Sequence, residues 1–288
     1  MSPSINKLLE FGIINIDKPS GPTSFTVSDF VRKKLKLRKT SHFGTLDPKV
    51  TGVLPIALNR ACKLTGYFLG EDKEYVGIAR FHESIEKNKI EEVIRKKFLG
   101  TIIQKPPVRS RVKRQDRPRT IRAFEILEQD SENPKDFLFR AEVQGGTYIR
   151  KLIDDLGKEL GIGAHMLELR RTRAGIFKED SIVNLYDFEK AVEEHEKGNS
   201  KPLEKMIIPA EIVKEVYPEV KIESKRLNQI FTGKPIHKED LISKKKFEKG
   251  EIVSVFSEDK FVGMYEIIDG KEIYAKAKFV MQPLKGLI

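Results

Sequence analysis

Two stretches of this 288-residue chain alternate so strictly that they constrain what it can fold into. In KEYVGIARF (73–81), Tyr75, Gly77, Ala79 and Phe81 fall on one side of an extended backbone. In DFLFRAEVQGG (136–146), Phe137, Phe139, Ala141 and Val143 do the same. A period of two is the signature of a strand with one face in a core. FGIINI (11–16) reads as a further strand, entering the tight loop Asp17-Lys18-Pro19-Ser20-Gly21-Pro22. Helical spacing intervenes between these strands. Thr23 or Ser24 can cap a helix in which Phe25, Val27, Phe30, Val31 and Leu35 recur. IEEVIRKKFLG (90–100) is helix-like and closes on a glycine. TYIRKLIDDLGKELG (147–161) places Tyr148, Leu152, Leu156 and Leu160 on one stripe that ends at Gly161. The elements alternate without a regular βαβ beat, so the expected class is α+β with a mixed or antiparallel sheet.

The length suits two domains. Near 184–210 the composition turns polar, as in EKAVEEHEKGNSKP (189–202), which reads as a surface helix and connector. Beyond about 215 the pattern becomes short alternating strands with Ser-Glu-Asp-Lys and Asp-Gly turns, in EIVSVFSEDKFVGMYEIIDGKEIYAKAKFV (251–280). That spacing predicts a small antiparallel barrel. The expected domains are 1–210 and 211–288.

The net charge is +11 and the isoelectric point about 9.4, a balance that suggests a polyanionic partner. The charge is clustered. RSRVKRQDRPRTIR (109–122) carries seven basic residues against one Asp, RKKLKLRK (32–39) carries six in eight, and ELRRTRAG (168–175) adds three arginines. Each could be a solvated face, but arginine-rich clusters favour bidentate contacts to phosphate and stacking on bases. Arg109, Arg111, Lys113, Arg114, Arg170 and Arg171 are the candidate RNA contacts. No cluster lies on a strongly amphipathic, aromatic-rich helix, so nucleic acid is preferred to a membrane surface. No apolar run approaches the roughly 20 residues of a bilayer span. The opening MSPSINKLLEFG lacks the features of a signal peptide, so a cytosolic protein is expected. Cys62 stands alone and the five histidines are scattered, so neither a cysteine cluster nor a metal site is expected.

One loop asks for an explanation. HFGTLDPKVTG (42–52) sets Asp47 between Leu46 and Pro48, at the entrance to the apolar run Val53–Leu58. Asp-Pro is a common turn dipeptide, so a turn alone would account for it.

Five stretches occur together and in order: IDKPSGPTS (16–24), HFGTLDPKVTGVLP (42–55), KEY (73–75), GTYIRKLIDDLG (146–157) and GAHMLELRRTRAG (163–175). Together they resemble the TruB-type pseudouridine synthases, and cover most of residues 11–178. The resemblance is strongest to the dyskerin-like branch of archaea and eukaryotes. IIQKPPVRSRVKRQ (102–115) runs almost directly into RPRTI (117–121), without the segment that bacterial tRNA enzymes insert. HMLELRRTRAGIF (165–177) is the dyskerin-like form of its motif, and the C-terminal strands resemble a PUA domain.

The resemblance implies a pseudouridine-synthase catalytic domain with a mixed, mainly antiparallel sheet flanked by helices, followed by a small β-barrel-like PUA domain. It implies an isomerase in which Asp47 is the catalytic carboxylate. Arg150 would pair with that carboxylate, and Tyr75 would stack on the uracil near the C5 proton. Leu169 would form an apolar wall, Lys18 would support the loop, and His42 would fill space vacated by the flipped nucleotide. Without the motifs, Tyr75 and Leu169 would be core residues, Arg150 an exposed helix residue paired with Asp154, and His42 an ordinary loop residue. Phe43 departs from the family's small or hydroxyl residue, and either stacks on RNA or packs inward. No cofactor and no metal are implied. The implied partners are an H/ACA guide RNA, tRNA or rRNA substrates, and Nop-type, Gar-type and kink-turn-binding ribosomal-type proteins. The location would be cytoplasmic in an archaeon and nucleolar in a eukaryote. The rivals are a stand-alone tRNA pseudouridine-55 synthase and a non-catalytic RNA scaffold.

Overall fold

The computed structural model describes residues 4–106, 113–242 and 246–282. The first part of the chain runs through α1 (Ile5–Glu10), β1 (Gly12–Lys18), α2 (Ser24–Lys34), β2 (Thr40–His42) and β3 (Thr51–Leu58). It continues with α3 (Thr65–Leu69), β4 (Lys73–Phe81), α4 (Lys87–Val93), β5 (Gly100–Gln104), β6 (Arg117–Gln129) and β7 (Asp136–Val143). Then come α5 (Ile149–Glu159), β8 (Ala164–Ala174), β9 (Phe177–Lys178), α6 (Leu185–Glu196), α7 (Lys201–Met206) and β10 (Ile207–Pro209).

These strands form one mixed sheet in the order β10-β1-β3-β8-β4-β7-β6-β5, with β2 added to β3 and β9 to β8. The hairpins and returns are antiparallel, but β3 and β8 run parallel, pairing Thr51 with Arg170 and Gly52 with Arg171. That short seam joins two antiparallel halves, and it brings the loop before β3 beside the arginines of β8. Gly52 makes the approach possible. Its φ is +99°, and a Cβ there would lie 2.3 Å from the Arg171 carbonyl oxygen, so a larger residue has neither the conformation nor the room.

The alternation read from the sequence becomes burial. Phe137, Phe139, Ala141 and Val143 of β7 are buried together with Tyr75, Ala79 and Phe81 of β4. Phe81 meets Phe137 edge-on, with ring centroids 5.5 Å apart. Each buried aromatic of this kind contributes roughly 1.5–3 kcal/mol over exposure. Helix α5 lays Leu152, Ile153 and Leu156 on the same core. The Thr23 side chain caps α2 by accepting from the Thr26 N–H at 3.0 Å. Phe25 departs from the expected apolar stripe and is 71 % exposed. Two helical steps of about 100° turn it to the far side of α2 from Val27, so apolar residues in the same helix do not all share one face.

The chain divides between Pro209 and Ala210. The second unit contains β11 (Glu219–Lys221), α8 (Leu227–Phe231), β12 (Ile236–His237), β13 (Ile252–Ser257), β14 (Lys260–Ile267) and β15 (Ile273–Val280). Its sheet has the order β11-β13-β14-β15-β12 and encloses its own core of Val220, Val253, Val255, Val262, Tyr265 and Ile267. The first pair, β11 and β13, is parallel, and the others are antiparallel. The result is a curled half-barrel rather than a closed one, an architecture that fits a PUA-like domain.

Candidate active site

The loop that carries Asp47 is held by its backbone. Lys18, at the end of β1, is fully buried. Its Nζ donates to the carbonyls of Pro19 (2.8 Å), Pro48 (2.9 Å) and Val50 (2.8 Å), so all three ammonium protons are used. Burial lowers its pKa and the nearby Asp47 opposes that shift. On the flank, Ser24 Oγ donates to the Leu46 carbonyl (3.0 Å) and accepts from the Leu46 N–H (2.7 Å). The Gly21 N–H donates to the Pro48 carbonyl at 2.9 Å. The Asp-Pro turn is real, since the Val50 N–H returns to the Asp47 carbonyl at 3.0 Å. None of these bonds uses the Asp47 carboxylate, which points outward.

There it meets Arg150, on the first turn of α5, at 2.7 Å. The two side chains are 47 % and 53 % exposed. A pair so open to water contributes less than about 1 kcal/mol to stability. Asp154, the alternative partner for Arg150, is instead paired with Lys158 at 2.6 Å and faces Lys151.

Beneath the loop lies Arg171, 1 % exposed. Its Nε donates to the Val53 carbonyl at 2.8 Å and its Nη2 to the Gly44 carbonyl at 3.3 Å. Tyr75 on β4 is its cross-strand partner in register. Tyr75 is buried, and Leu169 on β8 lies opposite Gly77, whose missing side chain leaves room for the Leu169 methyls. His42, on β2, has its pKa pushed down by burial and by the Arg171 charge, which favours the neutral ring.

The structure corrects some expectations. Arg171 is not a surface contact for RNA, because burial and its bonds to the Val53 and Gly44 carbonyls turn it inward. Arg170 is held by Asp17, at 3.0 Å, and by Glu179. Lys113 and Arg114 are exposed just before β6, whereas Arg109 and Arg111 lie outside the described residues. Phe43 packs inward, stacked on Phe68 at 4.8 Å and tilted against Phe177 at 5.8 Å.

Two residues of this site are not singled out as site residues by the sequence: Ser24, which reads only as a possible helix cap, and Lys73. Lys73 is buried and donates to the carbonyls of Leu69 (2.8 Å), Phe68 (3.4 Å) and Glu71. The signal was available, since the alternation of 73–81 places Lys73 on the same face as Tyr75. Burial, reinforced by the Arg171 charge, lowers its pKa from 10.5 to about 8. Between those values the unfolded chain holds a proton that the folded one has released, so this group's contribution to stability rises with pH. Chemical denaturation at pH 8 and pH 10 is expected to show a rise that Lys73→Met lacks; an identical pH dependence in both proteins would contradict it.

The site thus presents one outward carboxylate, clamped by an arginine and mounted on a loop pinned by buried cations. Residues 32–149 match the TruB family pseudouridylate synthase N-terminal domain, and 150–213 the tRNA pseudouridylate synthase B C-terminal domain. The chain is 43 % identical over 255 residues to a protein of Methanopyrus kandleri named "Probable tRNA pseudouridine synthase B", covering 88 % of this chain and 74 % of that one. A protein of the same name from Thermococcus onnurineus is 43 % identical over 267 residues, covering 89 % and 77 %. Among solved structures, a Cbf5-Nop10-Gar1 complex contains a chain that superposes with a TM-score of 0.88 at 36 % identity, covering 97 % of this chain and 88 % of that one. An H/ACA RNP bound to a substrate RNA containing 2'-deoxyuridine gives 0.87 at 34 %, covering 98 % and 88 %. With a carboxylate and its arginine displayed in this way, and with similarity along nearly its whole length, the chain belongs to the TruB family of pseudouridine synthases, RNA-modifying isomerases, in its dyskerin-like branch.

Proposed function

We propose that this isomerase acts on RNA uridines chosen by an H/ACA-type guide RNA, with Asp47 as the reacting carboxylate. The reaction breaks the N1–C1′ bond of uridine, turns the base, joins C5 to C1′ and releases the C5 proton. It needs one carboxylate, as covalent or proton-abstracting catalyst, and a dry apolar wall. Arg150 orients that carboxylate. Tyr75 and Leu169 wall the base, with Tyr75 set opposite Arg171 across the strands. Lys18 keeps the loop in place and the neutral His42 lines its base. The target nucleotide must leave its stack to reach them. Exposed Lys113 and Arg114 supply phosphate contacts, and the C-terminal unit binds guide RNA.

The observation that carries guide dependence is the likeness of both units, over 97–98 % of the chain, to the chains in the Cbf5 and H/ACA complexes. The short connection 105–116 between β5 and β6 agrees with it, because a guide paired to the substrate removes the need for a large protein clamp. The partners are accordingly a guide RNA with Nop-type, Gar-type and kink-turn-binding proteins. A second reading, stand-alone modification of tRNA, is favoured by the names of the curated relatives. Pseudouridine formation measured on a tRNA transcript alone, and on a guide-paired oligonucleotide with the partner proteins, separates the two. Turnover is expected to require guide and partners. Comparable kcat/KM on the tRNA alone would favour the second reading.

A further inference from the structure

Phe25 has the most exposed large apolar side chain among the described residues, at 71 %. Single apolar residues on a surface are ordinary and need no explanation. Its attachment is what sets this one apart. Ser24, its neighbour, is buried and tied to Leu46 by the two hydrogen bonds that anchor the reactive loop. From that tie, one residue along α2 leads to Phe25 and one residue along the loop leads to Asp47, each a step of about 3.8 Å. Both sides of the tie are stiff. The Thr23 cap fixes the start of α2, and Lys18 holds Pro48 and Val50. The backbone that carries the exposed Phe25 ring is therefore fixed against the loop that carries Asp47.

The charge around it suits a polyanion. Lys49 is exposed next to Pro48, Arg150 faces Asp47, and the first turn of α2 carries no acidic side chain. A uridine that leaves its stack to reach Asp47 strips a stacking partner from the adjacent base, and an aromatic ring at the rim can replace it.

We propose that Phe25 contacts the substrate, its ring stacking on the base next to the target uridine. The contact deepens the reading of this chain as an enzyme acting on RNA, and rests on it. It involves no hydrogen-bond readout, so it accepts any base.

The chain contains no tryptophan, so Phe25→Trp introduces a single fluorescent reporter. The probe is a uridine-containing RNA oligonucleotide that the wild-type enzyme turns over, with guide and partner proteins if turnover needs them. Phe25→Ala is expected to raise KM about tenfold, within the range of roughly 5- to 150-fold for losing one base stack, while kcat stays within about twofold. The salt dependence of binding should keep its slope, since no phosphate contact is lost. Phe25→Trp should restore KM and have its emission quenched by the RNA. If the wild type turns the RNA over while Phe25→Ala matches its KM, or the emission of Phe25→Trp ignores saturating RNA, stacking is refuted. A surface that docks a protein would give that result. A wild type inactive on every RNA would instead defeat the underlying reading.

Discussion

An Asp47→Asn enzyme is expected to lose pseudouridine formation by a factor on the order of 10⁴ or more, as when a covalent or basic group at the centre of a reaction is removed. Its affinity for RNA should stay within about twofold of wild type, because one outward carboxylate does little to hold a polyanion. The fold should not change. The bonds that set the loop come from Lys18, Ser24, Gly21 and Arg171, and all end on backbone atoms or on Ser24 rather than on the carboxylate. The amide keeps the shape of the side chain and can still accept from Arg150, but it is neither a nucleophile nor a base of use here. Single-turnover assays, filter binding and thermal unfolding on one preparation make the test. A rate near wild type would sink the assignment of Asp47.

Arg150→Met is expected to cost about 10²–10³ in rate, the size of effect seen when one charged or hydrogen-bonding group aimed at a reacting centre is removed. Its unfolding free energy should move by less than about 1 kcal/mol, since the ion pair is half open to water. That combination separates a clamp on the carboxylate from a structural ion pair, which would fail in stability and rate together. Arg150→Lys should recover part of the rate, because it keeps the charge but loses the planar fork that fixes direction. Full activity in Arg150→Met would return Arg150 to an ordinary surface position on α5.

Much of the fold was legible because burial imposes a period. β4 and β7 stand on alternation that the sheet converts into one buried face, and α5 on a stripe that packs against the same core. The stripe reading failed at Phe25, where the residue is apolar but its angular position on α2 is wrong for the core. The C-terminal strands were read correctly as a small β unit, while its half-barrel form depended on which strands pair, and pairing is not local.

For the site, residue type and order pointed to candidate groups, and their partners were left to the tertiary structure. Asp47, Tyr75 and Arg150 stood out as chemistry-bearing residues in matching motifs. The choice of Asp47 over Asp154 as the partner of Arg150 needed α5 docked against the loop, since an i+4 pair was equally available along the helix. Arg170 and Arg171 are neighbours of the same type in a basic run, and nothing local tells them apart. A strand sends successive side chains to opposite faces, and only the parallel seam with β3 decides that Arg171 turns inward to the Val53 and Gly44 carbonyls. Phe43 was undecided between RNA and core for the same reason, until Phe68 and Phe177 closed around it. The sequence by itself determined the family, the alternating strands β4 and β7, and the apolar stripe of α5. The tertiary structure alone decided which charges are buried, because burial depends on segments far apart in the chain meeting at one seam.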